Sequence, residues 1–176
     1  MQYINQLKKI IWREDEGKVP WGFLNEKQWI LQLGLWYSVL AEQYIKPLKK
    51  TKDILLIDGW FYKILARCFW SQTIHKTLLE ELLDMLNISD EVYLLHSDPE
   101  ECWERRKVFK ETEIAPYGKK PTNYRDSFVC FQTGVQDELE KMAARFGWNI
   151  VQCAGKNIED ITDEIQIKVR TIKKSK

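Results

Sequence analysis

Apolar residues recur at helical spacing along most of this chain, and three short aliphatic runs interrupt them. Ile4, Leu7 and Ile11 share one face and predict a short amphipathic helix over 1–12. Gly17, Pro20 and Gly22 make 13–25 a loop. From about Glu26 to Leu48, the residues Trp29, Leu33, Trp36, Tyr37, Leu40 and Tyr44 predict a long buried helix ending near Pro47. Ile54-Leu55-Leu56-Ile57 is aliphatic throughout and bounded by charge, the pattern of a strand covered on both faces. A helix follows from about Thr73 to Leu86, then a second buried strand, Val92-Tyr93-Leu94-Leu95. Asp98 as N-cap, Pro99 at the first helical position and Glu101 at the third mark a helix start, and that helix runs toward Lys107. Residues 108–126 are polar and irregular, with Pro116, Gly118 and Pro121. Phe128, Phe131, Val135, Leu139, Met142 and Phe146 then predict a helix stopped by Gly147. Trp148 to Val151 is a third short strand, and Asn157 caps a last helix carrying Ile158, Ile161, Ile165, Val169 and Ile172. Its basic end, Lys168 to Lys176, complements the helix dipole.

Strands alternating with helices predict an α/β fold: a three-layer domain with a parallel sheet flanked by helices. With 176 residues, 44% apolar and 30% charged, and no internal repeat or linker, the chain reads as one domain over 1–176. Lys and Arg total 27 against 26 Asp and Glu, which argues against a protein that grips nucleic acid. No window holds enough apolar residues to span a membrane, and Met1 to Arg13 has no signal-peptide pattern. Cys68, Cys102, Cys130 and Cys153 lie far apart, so a reduced, cytoplasmic protein without a disulfide framework or cysteine zinc site is expected.

Ligands of parallel sheets bind beyond the carboxyl ends of the strands, which points to Asp58 and to His96–Asp98. A carboxylate at Asp58 suits Mg²⁺ or the orientation of an acceptor oxygen. Gly59 permits a sharp turn, and Trp60 and Phe61 offer a wall on which a base could stack. The alternative is that Asp58 caps a turn and the aromatics are core. Lys63 and Arg67, four apart on the next helix, suit a phosphorylated ligand or form a solvated face. Arg105-Arg106-Lys107, Lys110 and Lys119-Lys120 border a polar loop. They read as a lid that brings guanidinium charge onto a phosphoryl group, or as a charged surface balanced by Glu104, Glu111 and Glu113. Neither His75 nor His96 has a partner at metal spacing, and no phosphate-binding G-x-x-x-x-G-K-[ST] occurs.

The segments DILLIDGWFYKILAR, VYLLHSDPEECWERRK and SFVCFQTGVQDELEKMAARFGWNIVQC together resemble the thymidylate kinase family of P-loop nucleoside monophosphate kinases, over about residues 27–166. Asp58-Gly59-Trp60 stands where the family has an Asp-Arg-Tyr-type motif that meets the acceptor phosphate and magnesium. Asp98-Pro99-Glu100-Glu101 leads to Arg105 and Arg106, the lid arginines of the resemblance. The resemblance implies a P-loop NTPase-like fold, Mg²⁺ held at Asp58, and transfer of the γ-phosphoryl of ATP to a nucleoside monophosphate such as dTMP. It also implies a base pocket at Trp60 and Phe61, and a homodimer through the long helix with Trp29, Trp36 and Tyr37. Gly59 replaces the motif arginine, and Arg67 is the candidate substitute for its charge. The 57 residues before Asp58 leave no room for the family's first strand and P-loop, so an incomplete ATP site and impaired transfer are expected. Two other functions fit the same residues: a non-catalytic module that binds a nucleotide or a protein, and a nucleoside kinase acting on a sugar hydroxyl.

Overall fold

The computed structural model describes residues 2–12, 24–114 and 122–174. They form a helix-rich α/β protein with a two-stranded parallel sheet, and they group into two compact units. Among the described residues no polar or charged side chain is buried.

The first unit runs to Ile88 and is helical. Helix α1 spans Gln2–Trp12 and buries Leu7 and Ile11, as the pattern predicts. Helix α2, Glu26–Leu40, opens on a reciprocal cap: the Asn25 side chain accepts from the Gln28 N–H, and the Gln28 side chain accepts from the Asn25 N–H, each at 2.9 Å. The helix continues through a π turn, Ala41–Ile45, into α3, Lys46–Lys49. The wide turn, with the Lys46 N–H on the Ala41 carbonyl, falls just before Pro47. Proline lacks an N–H and crowds the carbonyl four residues back, so the backbone widens there and goes on instead of ending. Helix α4 is Tyr62–Ser71 and α5 is Lys76–Leu86. The start expected near Thr73 shifts to Lys76 because Gln72 closes α4 in the left-handed region, at φ +54°. Phe61, Leu65, Leu79, Leu83 and Leu86 fill the core with Ile30 and Leu33. Gly34 lets α2 approach α5, since a Cβ there would lie 3.0 Å from Leu82.

The strand expected at Ile54–Ile57 is not formed. Residues 54–57 have no regular structure, Ile54 is 56% exposed and Leu56 88% exposed. A strand needs a hydrogen-bonded neighbour, and the first unit has no other strand among its described residues. Asp58 therefore does not stand at the end of a sheet strand.

The second unit holds the sheet. Strand β1, Tyr93–His96, pairs in parallel with β2, Asn149–Gln152, and Tyr93 lies opposite Asn149. Each strand sits one residue later than the aliphatic run predicts. Of the three strands expected, the sheet has two among the described residues. Helix α6 is Pro99–Arg105; the Asp98 carboxylate accepts from the Glu100 and Glu101 N–H groups at 2.7 and 3.2 Å. The helix stops at Arg105, short of Lys107. The stretch expected to be loop over 108–126 contains a short helix α7, Glu111–Ile114, and the first turn of α8, Tyr124–Phe146. Residues 115–121, with Lys119 and Lys120, lie outside the described residues. Asn123 caps α8, whose Phe128, Phe131, Val135 and Met142 are buried, and Gly147 ends it at φ +67° as predicted. Helix α9 spans Ile158–Lys174. Asn157 caps it as expected, with the Asp160 side chain returning a bond to the Asn157 N–H.

Candidate functional site

The first unit assembles the aromatic part of the predicted site. Tyr37 sits 4.9 Å from Trp60 and 5.0 Å from Phe61, centroid to centroid, and Trp36 lies edge-on to Tyr37 at 4.9 Å. Phe61 is fully buried, so it packs inside the core and presents no stacking wall. Trp60 is half-buried, and its indole N–H donates to the Leu86 carbonyl at 2.7 Å. Tyr62 Oη donates to Asn87 Oδ1 at 2.9 Å and Lys49 Nζ to the Ile88 carbonyl at 2.8 Å. Three side chains thus reach the last residue of α5 and the two residues after it. Trp29 is buried, while Trp36 and Tyr37 are half-buried. Burial raises the Tyr37 phenol above its ordinary pKa.

Asp58 is exposed, and Gly59 turns the chain at φ +61° with open space around it, the sharp turn expected of this glycine. Lys63 and Arg67 lie one turn apart on α4, the first exposed and the second half-buried. Cys68 beside them is buried. Its thiol is pushed up to about 12, by burial first and by the negative charge of Glu26 second, against the opposing effect of Arg67.

Arg105 and Arg106 belong to the second unit, and each faces a carboxylate. Arg105 Nη2 bonds Glu101 Oε2 at 3.0 Å, one turn back on α6. Arg106 Nη1 bonds Glu113 Oε1 at 3.1 Å, and its guanidinium lies 5.3 Å from the Phe109 ring centre. Phe109 in turn stacks on Trp103 at 4.3 Å with the planes 8° apart. Glu113 also accepts from the Lys110 N–H at 3.0 Å, and its carbonyl accepts from the Gln132 amide at 2.5 Å. Residues 109–113 of the segment read as a lid are therefore anchored, by Phe109 on Trp103 and by Glu113 on Arg106, Lys110 and Gln132. The sequence pattern offers Glu113 only as a balancing charge; the Arg106 pairing depends on the turn made by residues 106–110.

At the carboxyl end of β1, His96 Nε2 meets Glu140 Oε1 at 2.9 Å and the Gln136 amide at 2.6 Å, both from α8. Sequence spacing misses this group because the partners are 44 and 40 residues away. The available signal is two polar residues four apart on the half-buried flank of an otherwise apolar helix. At the amino end of the strands, Glu91, Tyr93, Asn149, Ile167, Lys168 and Thr171 line an open cleft of about 350 Å³. Burial raises the Tyr93 phenol there, and Glu91 adds to the effect. Among the described residues, no three His, Cys, Asp or Glu side chains converge as a metal-ligand set, and no helix is long and apolar enough to cross a membrane.

No family model matches the chain, and no curated protein matches its sequence.

Proposed function

We propose that this chain is a nucleotide-binding domain of thymidylate kinase-like type, whose phosphoryl transfer from ATP to a nucleoside monophosphate such as dTMP is impaired because residues 1–176 hold no Gly-rich phosphate loop. The observation that carries the reading is the segment from β1 through α6: a parallel strand, an Asp98-capped helix, and two arginines at that helix's end. Guanidinium groups at that position suit phosphate oxygens because their planar fork donates to two oxygens at once. On this reading β1 and β2 belong to a three-layer sheet of P-loop type. Asp58 would hold Mg²⁺, and a single carboxylate is in keeping with how this cation is bound beside substrate phosphates. When bound, ATP would supply the transferring group and Mg²⁺ would neutralise its charge. Lys63 and Arg67 add positive charge on α4, and Trp60 lines the base pocket.

A second reading, a non-catalytic nucleotide- or protein-binding module, draws on specific observations. Phe61 is in the core, Arg105 and Arg106 each pair with a glutamate, and the sequence has no Gly-rich phosphate cradle. Calorimetric titration tests whether the chain takes a nucleotide, and so separates the first reading from a protein-binding module. Under the first, a nucleoside monophosphate binds and its free nucleoside binds far more weakly; comparable binding of both favours a nucleoside kinase, and binding of neither overturns the nucleotide reading. MgATP is expected to bind residues 1–176 weakly, without measurable turnover; micromolar MgATP binding would require a phosphate site elsewhere. Arg106→Ala should weaken monophosphate binding about tenfold, the loss of one charge-assisted contact. Its melting temperature should move by only a few degrees, since an exposed ion pair contributes at most about 1 kcal/mol.

A further inference from the structure

Of the two aromatic residues that follow Gly59, Trp60 alone keeps part of its surface open to a ligand: Phe61 is fully buried, whereas Trp60 is half-buried. The indole is fixed by two contacts. Its N–H, which is the whole hydrogen-bonding capacity of a tryptophan side chain, donates to the Leu86 carbonyl at 2.7 Å, and Leu86 is the last residue of α5. Tyr37 stands against the ring at 4.9 Å with the planes 84° apart, so it covers one face at most. Tyr37 is braced in turn by Trp36, edge-on at 4.9 Å, and by Phe61 at 5.0 Å. Trp60 is therefore a held ring whose single donor is already spent.

Bases are told apart by donors and acceptors set opposite their edges. Stacking does not discriminate in this way, because every base has a π face. Neither of these two contacts of Trp60 supplies a fixed reader. The Leu86 carbonyl already accepts the indole N–H, and Tyr37 meets the indole through its ring. Burial raises the Tyr37 phenol, so it stays protonated, and a hydroxyl donates or accepts as its partner requires. It suits one base edge as well as another. We infer, resting on the nucleotide-binding reading above, that Trp60 takes the base by stacking alone and that the chain binds the monophosphates of thymine, cytosine, adenine and guanine alike. The substrate class is then the deoxynucleoside monophosphates as a whole, of which dTMP is one. Their affinity comes from two features that all of them share, the phosphate and a flat ring.

The experiment is calorimetric titration of the unaltered chain with dTMP, dCMP, dAMP and dGMP, and with deoxyribose phosphate as the probe that lacks a base. The four nucleotides are expected to bind within about fivefold of one another, since one good pair of base-reading hydrogen bonds would separate them by more than that. Deoxyribose phosphate should bind more weakly than any of them by at least about fivefold, the least that stacking on an aromatic ring contributes. These comparisons need no variant to fold. Trp60→Ala, checked by far-ultraviolet circular dichroism, should weaken all four nucleotides by the same factor, and Trp60→Phe, which keeps a stacking face without the N–H, should restore most of the loss. A preference for one base beyond about fivefold overturns the stacking assignment and leaves the nucleotide reading standing. So does a baseless phosphate that binds within about fivefold of the nucleotides, or a folded Trp60→Ala chain that binds them as before. Binding of none of the four removes the nucleotide reading and the stacking assignment together.

Discussion

Burial sorts the four cysteines by reactivity. Cys130 is exposed, whereas Cys68 and Cys153 are buried, and Cys68 stays a neutral thiol far into the alkaline range. Iodoacetamide at mildly alkaline pH should alkylate Cys130 first and reach Cys68 only when the chain unfolds, which mass spectrometry of timed samples will show. The same shift makes stability depend on pH. The Cys68 thiol titrates near 9 when exposed and near 12 when folded, so above pH 9 the unfolded chain binds fewer protons than the folded one. Stability then falls as pH rises, by up to about 1.4 kcal/mol per pH unit from this one group. Urea midpoints across pH 8–10 should show a loss in the native chain that Cys68→Ala lacks. Two apolar residues a few positions apart make the opposite point about burial. Leu56→Lys should change unfolding free energy by no more than about 0.5 kcal/mol, because the side chain already lies in water. Phe61→Ala should cost about 3–5 kcal/mol, because it empties the core beside Tyr37. A large loss from Leu56→Lys would show that 54–57 is a buried strand after all.

Helix ends carry the local signals that matter at the level of elements. Asp98 satisfies two backbone donors of α6, and the helix is only 7 residues long, so the cap is a large share of what orders it. Asp98→Ala should destabilise the protein by about 1 kcal/mol, read as a shift in the thermal or urea midpoint. Gln72 takes the opposite role at the end of α4. It holds φ +54°, a conformation that costs a side chain energy and costs glycine nothing. Gln72→Gly should therefore raise stability by up to about 1 kcal/mol; a loss instead would mean that the glutamine side chain makes a contact worth more than the strain. The segment read as a lid is another case in which elements differ from composition. Its Pro/Gly/charge pattern reads as loop, yet the described part is pinned by the Trp103–Phe109 stack and by the hold of Glu113 on Arg106 and on the Lys110 N–H.

For the molecule as a whole, charge is nearly balanced. A formal charge of +1 and a pI near 7.6 leave little self-repulsion at neutral pH. Solubility in low salt should pass through a minimum close to that pH and rise on either side, as turbidity or light scattering across pH 5–9 will measure. Exposed Ile54 and Leu56 make that minimum deeper than charge alone predicts, and Leu56→Lys should relieve part of it.

Most of the helices were legible before any coordinates, because their evidence is local. The 3.6-residue period, the Asp98-Pro99 and Asn157 starts and the Gly147 stop each act within a few residues of chain. The two strands that form were legible for the same reason, to within one residue. What local pattern does not contain is a partner. Ile54–Ile57 carries the same aliphatic signature as Val92–Leu95, but one finds no neighbour in its unit and the other pairs with β2. The candidate residues divide in the same way. The types and order of Asp58, Gly59, Trp60, Lys63, Arg67, Arg105 and Arg106 are properties of the sequence. Tertiary structure alone put Phe61 in the core, tied Trp60 to the end of α5, gave Arg106 to Glu113, and brought Gln136 and Glu140 from across the chain to one ring nitrogen of His96. Spacing along a chain encodes which face a residue shares with its near neighbours; which distant groups meet is decided by the packing of whole elements.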